Sequence, residues 1–432
     1  MLREEIPEEP PGQKIANHYR YLDIPEKRAV IYRIAAAFLA VWFAGYVFLI
    51  SYVTPPSLYI PSYYALSYRA GFVRRGLAGE VVSLFPERYY IQVTYTLVWA
   101  SFAVYCAALG ALAWYVVHRG NRAERRILVA LLLPVLPFAV TFAVFGSRPE
   151  LFGAAAFILF SLAISRIDNT RFAALACALY GAAMAVMAFF HELIPIEFAL
   201  GSVLAILLLA RSAKRSVQAV YLALAIGPGF LATALILKLS RRGVGPELCA
   251  ALPHRMVKDS MKVPPDRVGD YILGRYESFS DYHDWVCKNV IPFFDAEFSS
   301  AVRSVEKIGA LSLSAGFLHG LLVFIGTIWL IQAFTTVKWR KFVGGIRGGL
   351  VPPMLALVLW IPIFATGTDW IRWWALILMN VAVVYLVFAA SQDEIERPIT
   401  ARTMKWFIAV LVLLACIPLA AGPGYFLDPV EI

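Results

Sequence analysis

The sequence predicts an all-α, polytopic integral membrane protein, and two observations support this fold class. Of the 432 residues, 60% are hydrophobic and only 16% are charged, against roughly 45–50% and about 25% in soluble globular proteins. Apolar stretches of about 20 residues, the length that a helix needs to cross a bilayer, recur along the chain. A soluble fold is therefore excluded. We attribute the net charge of +10 to topology signals and lipid phosphate, and we predict no nucleic-acid partner.

Hydropathy predicts about eleven transmembrane helices, within a few residues at each boundary. Their expected bounds are Ile34–Val53, Tyr89–Val117, Ile127–Phe145, Leu151–Ser165, Phe172–Phe190, Leu193–Ala210, Val217–Leu237, Ile308–Phe334, Leu350–Ala365, Trp373–Ala390 and Trp406–Ala421. The chain would thus comprise an N-terminal segment (1–33), a first group of seven helices (34–237) containing an outside loop (54–88), a second outside loop or cap (238–307), and four further helices with a short outside tail (308–432). The first segment lacks the apolar core and cleavage site of a signal peptide.

The distribution of basic residues predicts the orientation. With the N terminus inside, the cytoplasmic segments hold 22 of the 39 Lys and Arg residues and the short outside segments hold 6. Because cytoplasmic loops are enriched in Lys and Arg, we expect the N terminus inside and the C terminus outside, in the cytoplasmic (inner) membrane. The clusters HRGNRAERR, RSAKRS and KWRK would be topology signals and anchors for anionic lipid.

Two of the five cysteines, Cys249 and Cys287, fall in the second outside loop. A disulfide persists in such an oxidising environment, so we predict that they are bonded. Their spacing leaves two free or buried thiols as the alternative. The other cysteines lie in predicted helices.

The first outside loop contains SYYALSYRAGFVRRGLAGE, in which tyrosines alternate with Arg69, Arg74 and Arg75. This pattern favours one or two helices lying in the membrane interface. The glycines around the arginines permit a close approach of the backbone to a ligand. Guanidinium groups bind phosphate in bidentate fashion, so we expect a lipid phosphate or diphosphate here. The alternative is simple contact with lipid headgroups.

Three other outside turns place charges of both signs at the rim of apolar helices. GSRPE contains Arg148 and Glu150, HELIPIE contains His191, Glu192 and Glu197, and GTDWIRWW contains Asp369 and Arg372. Ionisable residues at such positions are costly and tend to face an interior cavity, so they are functional candidates. We expect Arg148, Glu150 and Arg372 to bind phosphate or acceptor. A local Arg148–Glu150 pair and a rim His–Glu pair are the structural alternatives.

Catalytic roles follow from the chemistry of these groups. Asp369 is the leading candidate to orient and deprotonate an acceptor hydroxyl, ahead of Glu80, His191 and Glu192. Aromatic faces stack on sugar rings, and this role is assigned to Tyr68 and Trp370. The sequence HELIP has proline where a zinc-binding HExxH helix has its second histidine, so no metal site or cofactor is predicted. A metal requirement stays open.

This arrangement resembles the membrane glycosyltransferases of the GT-C superfamily and, less closely, Wzy-type polysaccharide polymerases. The resemblance rests on a cytoplasmic N terminus, first-loop interfacial helices at Tyr59–Glu87, about eleven helices, a later outside loop at Lys238–Lys307, and the motifs GFVRRGLAG and DWIRW. GT-C enzymes usually carry an acidic catalytic residue, commonly Asp, in the first outside loop, whereas this loop has only Glu80 and Glu87. The departure favours a polymerase-like or divergent enzyme in which arginines make the largest contribution to catalysis.

The resemblance implies an enzyme that transfers sugars from polyprenyl phosphate or diphosphate at the outer face of the membrane. Its partners would be a polyprenyl-(di)phosphate-linked glycan and membrane lipids; protein partners are unknown. Two alternatives belong to other classes: a transporter or flippase of a lipid-linked or anionic solute, and a non-catalytic scaffold of an envelope-assembly complex. Transporters place ionisable groups near the bilayer midplane, whereas the charges here gather at one face.

Overall fold

The computed structural model describes residues 24–48, 58–121, 123–210, 214–294 and 296–420, and most of these residues are helical. The first half contains α1 (Pro25–Phe48), α2 (Tyr59–Ser62), α3 (Gly76–Ser83), α4 (Tyr90–His118), α5 (Glu124–Leu132), α6 (Val140–Phe145), α7 (Glu150–Ile164), α8 (Thr170–Phe190), α9 (Ile194–Glu197), α10 (Ala199–Leu209) and α11 (Arg215–Leu239).

The second half begins with a cap of short elements and ends with longer helices. It contains α12 (Gly245–Ala250), β1 (Met256–Lys258), α13 (Val268–Ile272), β2 (Phe279–Asp281), α14 (Tyr282–Asn289), α15 (Ile291–Phe294), α16 (Phe298–Ile308), α17 (Ala310–Thr335), α18 (Trp339–Gly344), α19 (Val351–Val358), α20 (Trp360–Thr366), α21 (Trp370–Ala389) and α22 (Ala401–Cys416).

Seven stretches of the described chain are helical, long and apolar enough to cross a membrane. They are Glu26–Phe48, Glu87–His118, Glu124–Phe145, Thr170–Phe190, Arg215–Leu239, Ala310–Thr335 and Trp370–Ala389. Three further predicted spans correspond to the shorter apolar helices Glu150–Ile164, Ala199–Leu209 and Val351–Thr366, and the last corresponds to α22. The ends of the first and last predicted spans lie outside the described residues, as do most of segment 1–33 and the outside tail from residue 421. A membrane helix bundle is therefore confirmed, while the count of eleven and the orientation stay predictions.

Helix α21 lies at the centre of the bundle. Almost all of its residues are buried. The fully buried Asn380 joins it by hydrogen bonds to α9 and α10. The Asn380 side chain accepts a hydrogen bond from the backbone of Gly201 (2.7 Å) and donates one to the carbonyl of Glu197 (2.9 Å). Peripheral helices instead expose large apolar side chains such as Trp114. An apolar exterior around a packed core is expected of helices that face lipid.

Residues 238–307, the predicted second outside loop or cap, contain a short antiparallel pairing of β1 with β2. The predicted disulfide between Cys249 and Cys287 is confirmed; it links α12 to α14, with the two Cα atoms 5.5 Å apart. Apolar residues of the cap, including Val286 and Phe294, form one buried cluster with Leu66 and other residues of the first loop.

The first loop differs from the expected helices lying along a lipid interface. Its helices α2 and α3 are short, and Tyr63 and Tyr64 are 3% and 0% exposed because other parts of the protein cover them. The part of the loop from residue 58 to residue 68 is thus mostly covered by protein, whereas Arg69 and residues 83–89 are exposed. The amphipathic pattern of its tyrosines and arginines therefore reflects packing of the loop against other parts of the same chain.

In the first turn of α5, two arginines of the cluster HRGNRAERR are buried and are therefore not free to contact lipid. Arg125 donates hydrogen bonds to the carbonyls of Phe334, Arg397 and Pro398. Arg126 binds two further carbonyls and pairs with Glu396 at 2.6 Å. The interpretation of this cluster as a plain topology signal was incomplete, because these two arginines also join separate loops.

Candidate functional site

The charged residues of the outside turns meet at one end of the bundle because each lies at a helix end. Glu150 is the first residue of α7, His191 directly follows α8, and Asp369 directly precedes α21. Arg75 precedes α3 in the first loop. A carboxylate at a helix N terminus is favoured by the helix dipole, which helps to hold Glu150 and Asp369 in place.

One chain of ion pairs joins α7 to α21. Arg148 lies 2.7 Å from Asp369, Asp369 lies 3.1 Å from Arg372, and Arg372 lies 2.6 Å from Glu150. The local pairing of Arg148 with Glu150, one of the alternatives left open, is thus replaced by pairing between helices. The Glu150 side chain is 2% exposed, so its pairing with Arg372 offsets the cost of burying a charge.

A second pair links the first loop to the end of α8. Arg75 donates two hydrogen bonds to the Glu192 carboxylate, at 2.9 and 3.0 Å. Arg75 has a left-handed backbone (φ 62°), which is uncommon for a residue other than glycine. Its guanidinium also lies 4.4 Å from the ring centre of Phe294 in the cap. The bidentate pair fixes the loop on the bundle, and it holds Arg75 in this strained backbone conformation.

Tyrosines of the first loop connect the two groups of charges. The Tyr63 ring lies 5.4 Å from the guanidinium carbons of both Arg75 and Arg148, and 5.6 Å from the His191 ring. Arg148 also lies 5.2 Å from the ring of Tyr59. Cation–π contacts of this kind strengthen when water is excluded. The aromatic contacts therefore join both ion-pair groups into one continuous site. We call this site the rim network; it comprises Tyr59, Tyr63, Arg75, Arg148, Glu150, His191, Glu192, Asp369 and Arg372.

Burial and charge set the protonation of the groups outside the membrane-spanning helices. Burial alone would raise the pKa of the Asp369 carboxyl, but Arg148 and Arg372 outweigh it and lower this pKa to about 2. Burial likewise opposes ionisation of Glu192, yet the charge of Arg75 brings its pKa below the usual range. Burial and then Arg75 lower the pKa of His191 to about 4, so its imidazole is neutral at pH 7.

Several predicted site residues have other roles. Arg69 is exposed, and Glu80 accepts a hydrogen bond from the backbone of Tyr68 at 2.6 Å. Arg74 donates to the carbonyls of Phe294 (2.6 Å) and Phe293 (2.9 Å), although one nitrogen lies 3.7 Å from Glu192. Arg74 thus mainly anchors the cap.

The predicted aromatic platforms and glycines also serve internal packing. Tyr68 stacks on Phe72, and its ring covers Gly76 so closely that a side chain there would clash. The Trp370 indole donates to the carbonyls of Phe364 and Gly367. These side chains are engaged by protein groups, and their contact with a sugar or another ligand stays a prediction.

Three members of the site were missed or underrated. Tyr59 and Tyr63, spaced four apart, were noticed only as part of an aromatic loop. The sequence indicates Glu197 only as one of the charges in HELIPIE, whereas in the structure both of its carboxylate oxygens are buried with no hydrogen-bond partner among the described residues. The signal for Glu197 was present in the sequence, since it is an acid within an apolar stretch.

The fold and the rim network define a polytopic membrane protein with a buried polar site at one end. Residues 32–415 match the family described as uncharacterised membrane protein Rv1490, and the chain belongs to this family. The uncharacterized proteins Rv1490 of Mycobacterium tuberculosis and Mb1527 of Mycobacterium bovis are each 41% identical to it over 401 residues, covering 92% of both chains. No solved structure matches the chain.

Proposed function

We propose that this protein is a glycosyltransferase or polysaccharide repeat-unit polymerase that uses polyprenyl-phosphate or polyprenyl-diphosphate sugars. The observation that carries the proposal is the rim network, in which Arg75, Arg148 and Arg372 converge with carboxylates and tyrosines at one end of a membrane bundle. This setting suits a substrate with an anionic headgroup, a sugar and a lipid tail. In the predicted orientation the site faces outward from the cytoplasmic membrane.

Arg148 and Arg372 are the groups that we assign to the phosphate. Both point at the partly exposed Asp369, whose side chain is 31% exposed. In the reaction, the bond between the sugar anomeric carbon and the phosphate oxygen breaks, and its electron pair leaves with the phosphate. Arginines placed beside that oxygen stabilise the developing charge, an electrostatic effect that is usually the largest single contribution to catalysis.

Asp369 accepts the acceptor's proton in this proposal. The acceptor hydroxyl oxygen bonds to the anomeric carbon while its proton passes to the carboxylate and then to solvent. A carboxyl group with a pKa of about 2 is a weak base at neutral pH. Such a base suffices when proton loss is late, after bond formation has made the hydroxyl acidic. Until then Asp369 orients the hydroxyl and holds the two arginines beside each other.

The placement of the charges favours this function over transport. Glu150 and Arg372 lie in the first turns of their helices, Asp369 directly precedes α21, and His191 directly follows α8. Transporters usually bind their substrate near the bilayer midplane, at breaks between helical halves. A lipid-linked sugar, in contrast, presents its phosphate at the membrane surface while its tail stays among the helices.

The test begins with purified protein in lipid nanodiscs. Native mass spectrometry should detect bound polyprenyl phosphate in the wild type, and incubation with polyprenyl-phosphate sugars should yield an elongated glycan. Arg148→Ala should lose both. Arg267→Ala, which removes an exposed arginine of the cap, is the matched control and should retain both. Retention of glycan transfer by Arg148→Ala would refute the phosphate role.

A transport assay separates the main alternative. Proteoliposomes that move a fluorescent polyprenyl-linked sugar between leaflets, without forming any glycosidic bond, would assign the network to a flippase. Absence of both transfer and movement across all polyprenyl donors would leave a scaffold role and contradict the enzyme proposal.

A further inference from the structure

Behind the arginines lies a group of three buried side chains that the proposed transfer reaction does not use. Glu150, His191 and Glu197 are 2%, 3% and 0% exposed. Each offers one ligand-type atom to a common space, and these atoms lie within 4.8 Å of one another. The three residues come from α7, from the turn after α8 and from α9, so the fold itself brings them together.

The polar atoms of this group lack partners. Among the described residues, neither Glu197 oxygen has a hydrogen bond, and neither do the second oxygen of Glu150 (Oε2) and the Nδ1 atom of His191. Whichever Glu197 oxygen faces the common space is therefore unsatisfied. Leaving a buried polar atom unpaired is unfavourable, and the cost is greater for a charged group. Three such residues aimed at one point indicate a missing ligand.

The nearby arginines do not supply that ligand. Arg372 binds Glu150 through Oε1 and leaves Oε2 unoccupied. Arg75 is engaged by Glu192, and Arg148 is engaged by Asp369 through Nη1, while the buried Nε of Arg148 donates to no carboxylate among the described residues. Among the described ion pairs, Glu197 has none. A cation placed at the common point would bind one carboxylate oxygen each of Glu150 and Glu197 and one ring nitrogen of His191.

We propose that Glu150, His191 and Glu197 bind one divalent transition-metal ion, of the chemical class of Mn²⁺ or Zn²⁺. One imidazole nitrogen with two carboxylates suits these ions, whereas Mg²⁺ and Ca²⁺ prefer all-oxygen ligands. The site differs from a zinc-protease helix, because its ligands come from three separate elements. The inference goes beyond glycan transfer and does not rest on it, since ion binding is measured without any sugar.

The experiment measures metal directly on the full-length protein in detergent. Chelator-treated wild type should bind about one Mn²⁺ per chain, and its thermal midpoint should rise with the logarithm of Mn²⁺ or Zn²⁺ concentration. Glu197→Gln is nearly isosteric and should abolish both effects. Glu277→Gln, an exposed cap carboxylate paired with Lys258 at 3.2 Å, is the matched control and should retain both.

A second set of possible ligands must be separated from this one. His254, Asp281, His283 and Asp284 form an exposed group in the cap. His254→Ala should leave the Mn²⁺ stoichiometry unchanged. If His254→Ala lost the ion while Glu197→Gln kept it, the ion would belong to the cap and the proposal would be overturned.

A measurement on the wild type covers the case in which Glu197→Gln does not fold. Pulsed electron paramagnetic resonance of the bound Mn²⁺ should show coupling to a single histidine nitrogen. An absence of nitrogen coupling would overturn the proposal, and so would an absence of any Mn²⁺ or Zn²⁺ binding. The latter result would indicate that Glu197 is instead held protonated.

Discussion

Arg372 lies between Glu150 and Asp369 and contacts both, at 2.6 and 3.1 Å, so one guanidinium joins the first turns of α7 and α21. Its two partners are in very different surroundings, since Glu150 is 2% exposed and Asp369 is 31% exposed. The inner carboxylate therefore depends on Arg372 for its neutralisation, while the outer one also faces solvent and Arg148.

Arg372→Ala should destabilise the protein strongly. The substitution leaves the Glu150 carboxylate buried without its ion partner, and breaking a buried pair in this way costs about 3–5 kcal/mol. Thermal unfolding in detergent measures the loss, with Arg267→Ala as the exposed control. The double variant Arg372→Met with Glu150→Met removes both charges and should recover most of the stability. A double variant as unstable as Arg372→Ala would contradict the pairing argument.

Arg75→Ala and Arg75→Gly should differ in a defined direction. Both lose the bidentate pair with Glu192, but only glycine relieves the left-handed backbone (φ 62°). Because that conformation costs a residue with a side chain roughly 1–2 kcal/mol, Arg75→Gly should be the more stable variant by about this amount. Thermal midpoints measured side by side decide the matter. Equal midpoints would show that the surrounding contacts remove the strain.

The sequence was sufficient to predict the membrane bundle, because bilayer thickness fixes the length of each apolar stretch. The sequence also predicted that the charged turns lie at one end of the bundle, because successive helices alternate in direction. Glu150, Glu192 and Asp369 do meet there through arginines. The cap disulfide followed from the position of its cysteines in one loop.

The pairings within the site could not be predicted. Arg148 binds Asp369, which lies 221 residues further along the chain, and does not bind its near neighbour Glu150. Which charges meet depends on how each helix is rotated and how deeply it is inserted, and neither is encoded in hydropathy. The burial of the first loop was missed for a similar reason. Its tyrosines have the composition of an interfacial helix, and only the folded cap shows that protein covers them.

Acid should remove a contribution to stability that depends on Asp369. Its folded pKa is about 2, below the value of about 3.9 expected in the unfolded chain. A depressed folded pKa means that the stabilisation is fully present above about pH 4 and is lost as the pH falls toward 2. The difference in thermal midpoint between wild type and Asp369→Asn should therefore be constant from pH 7 to 5 and shrink below pH 4. Asp270→Asn, in the cap, controls for net charge. A difference that stayed constant down to pH 2 would contradict the ion pairing of Asp369.

Gly181→Ala should destabilise the contact between α8 and α11, whereas Gly110→Ala, in α4, should not destabilise the protein. A methyl group at Gly181 would clash with the backbone carbonyl of Leu224, while one at Gly110 would meet no atom within 4 Å beyond its chain neighbours. Small residues allow membrane helices to approach this closely. Overpacking a tight interface costs about 1–3 kcal/mol, and alanine in an open helical position gains up to about 1 kcal/mol over glycine. Thermal unfolding of the two variants should thus move in opposite directions from the wild type. A loss of similar size in both would show that the two helices do not depend on close approach at Gly181.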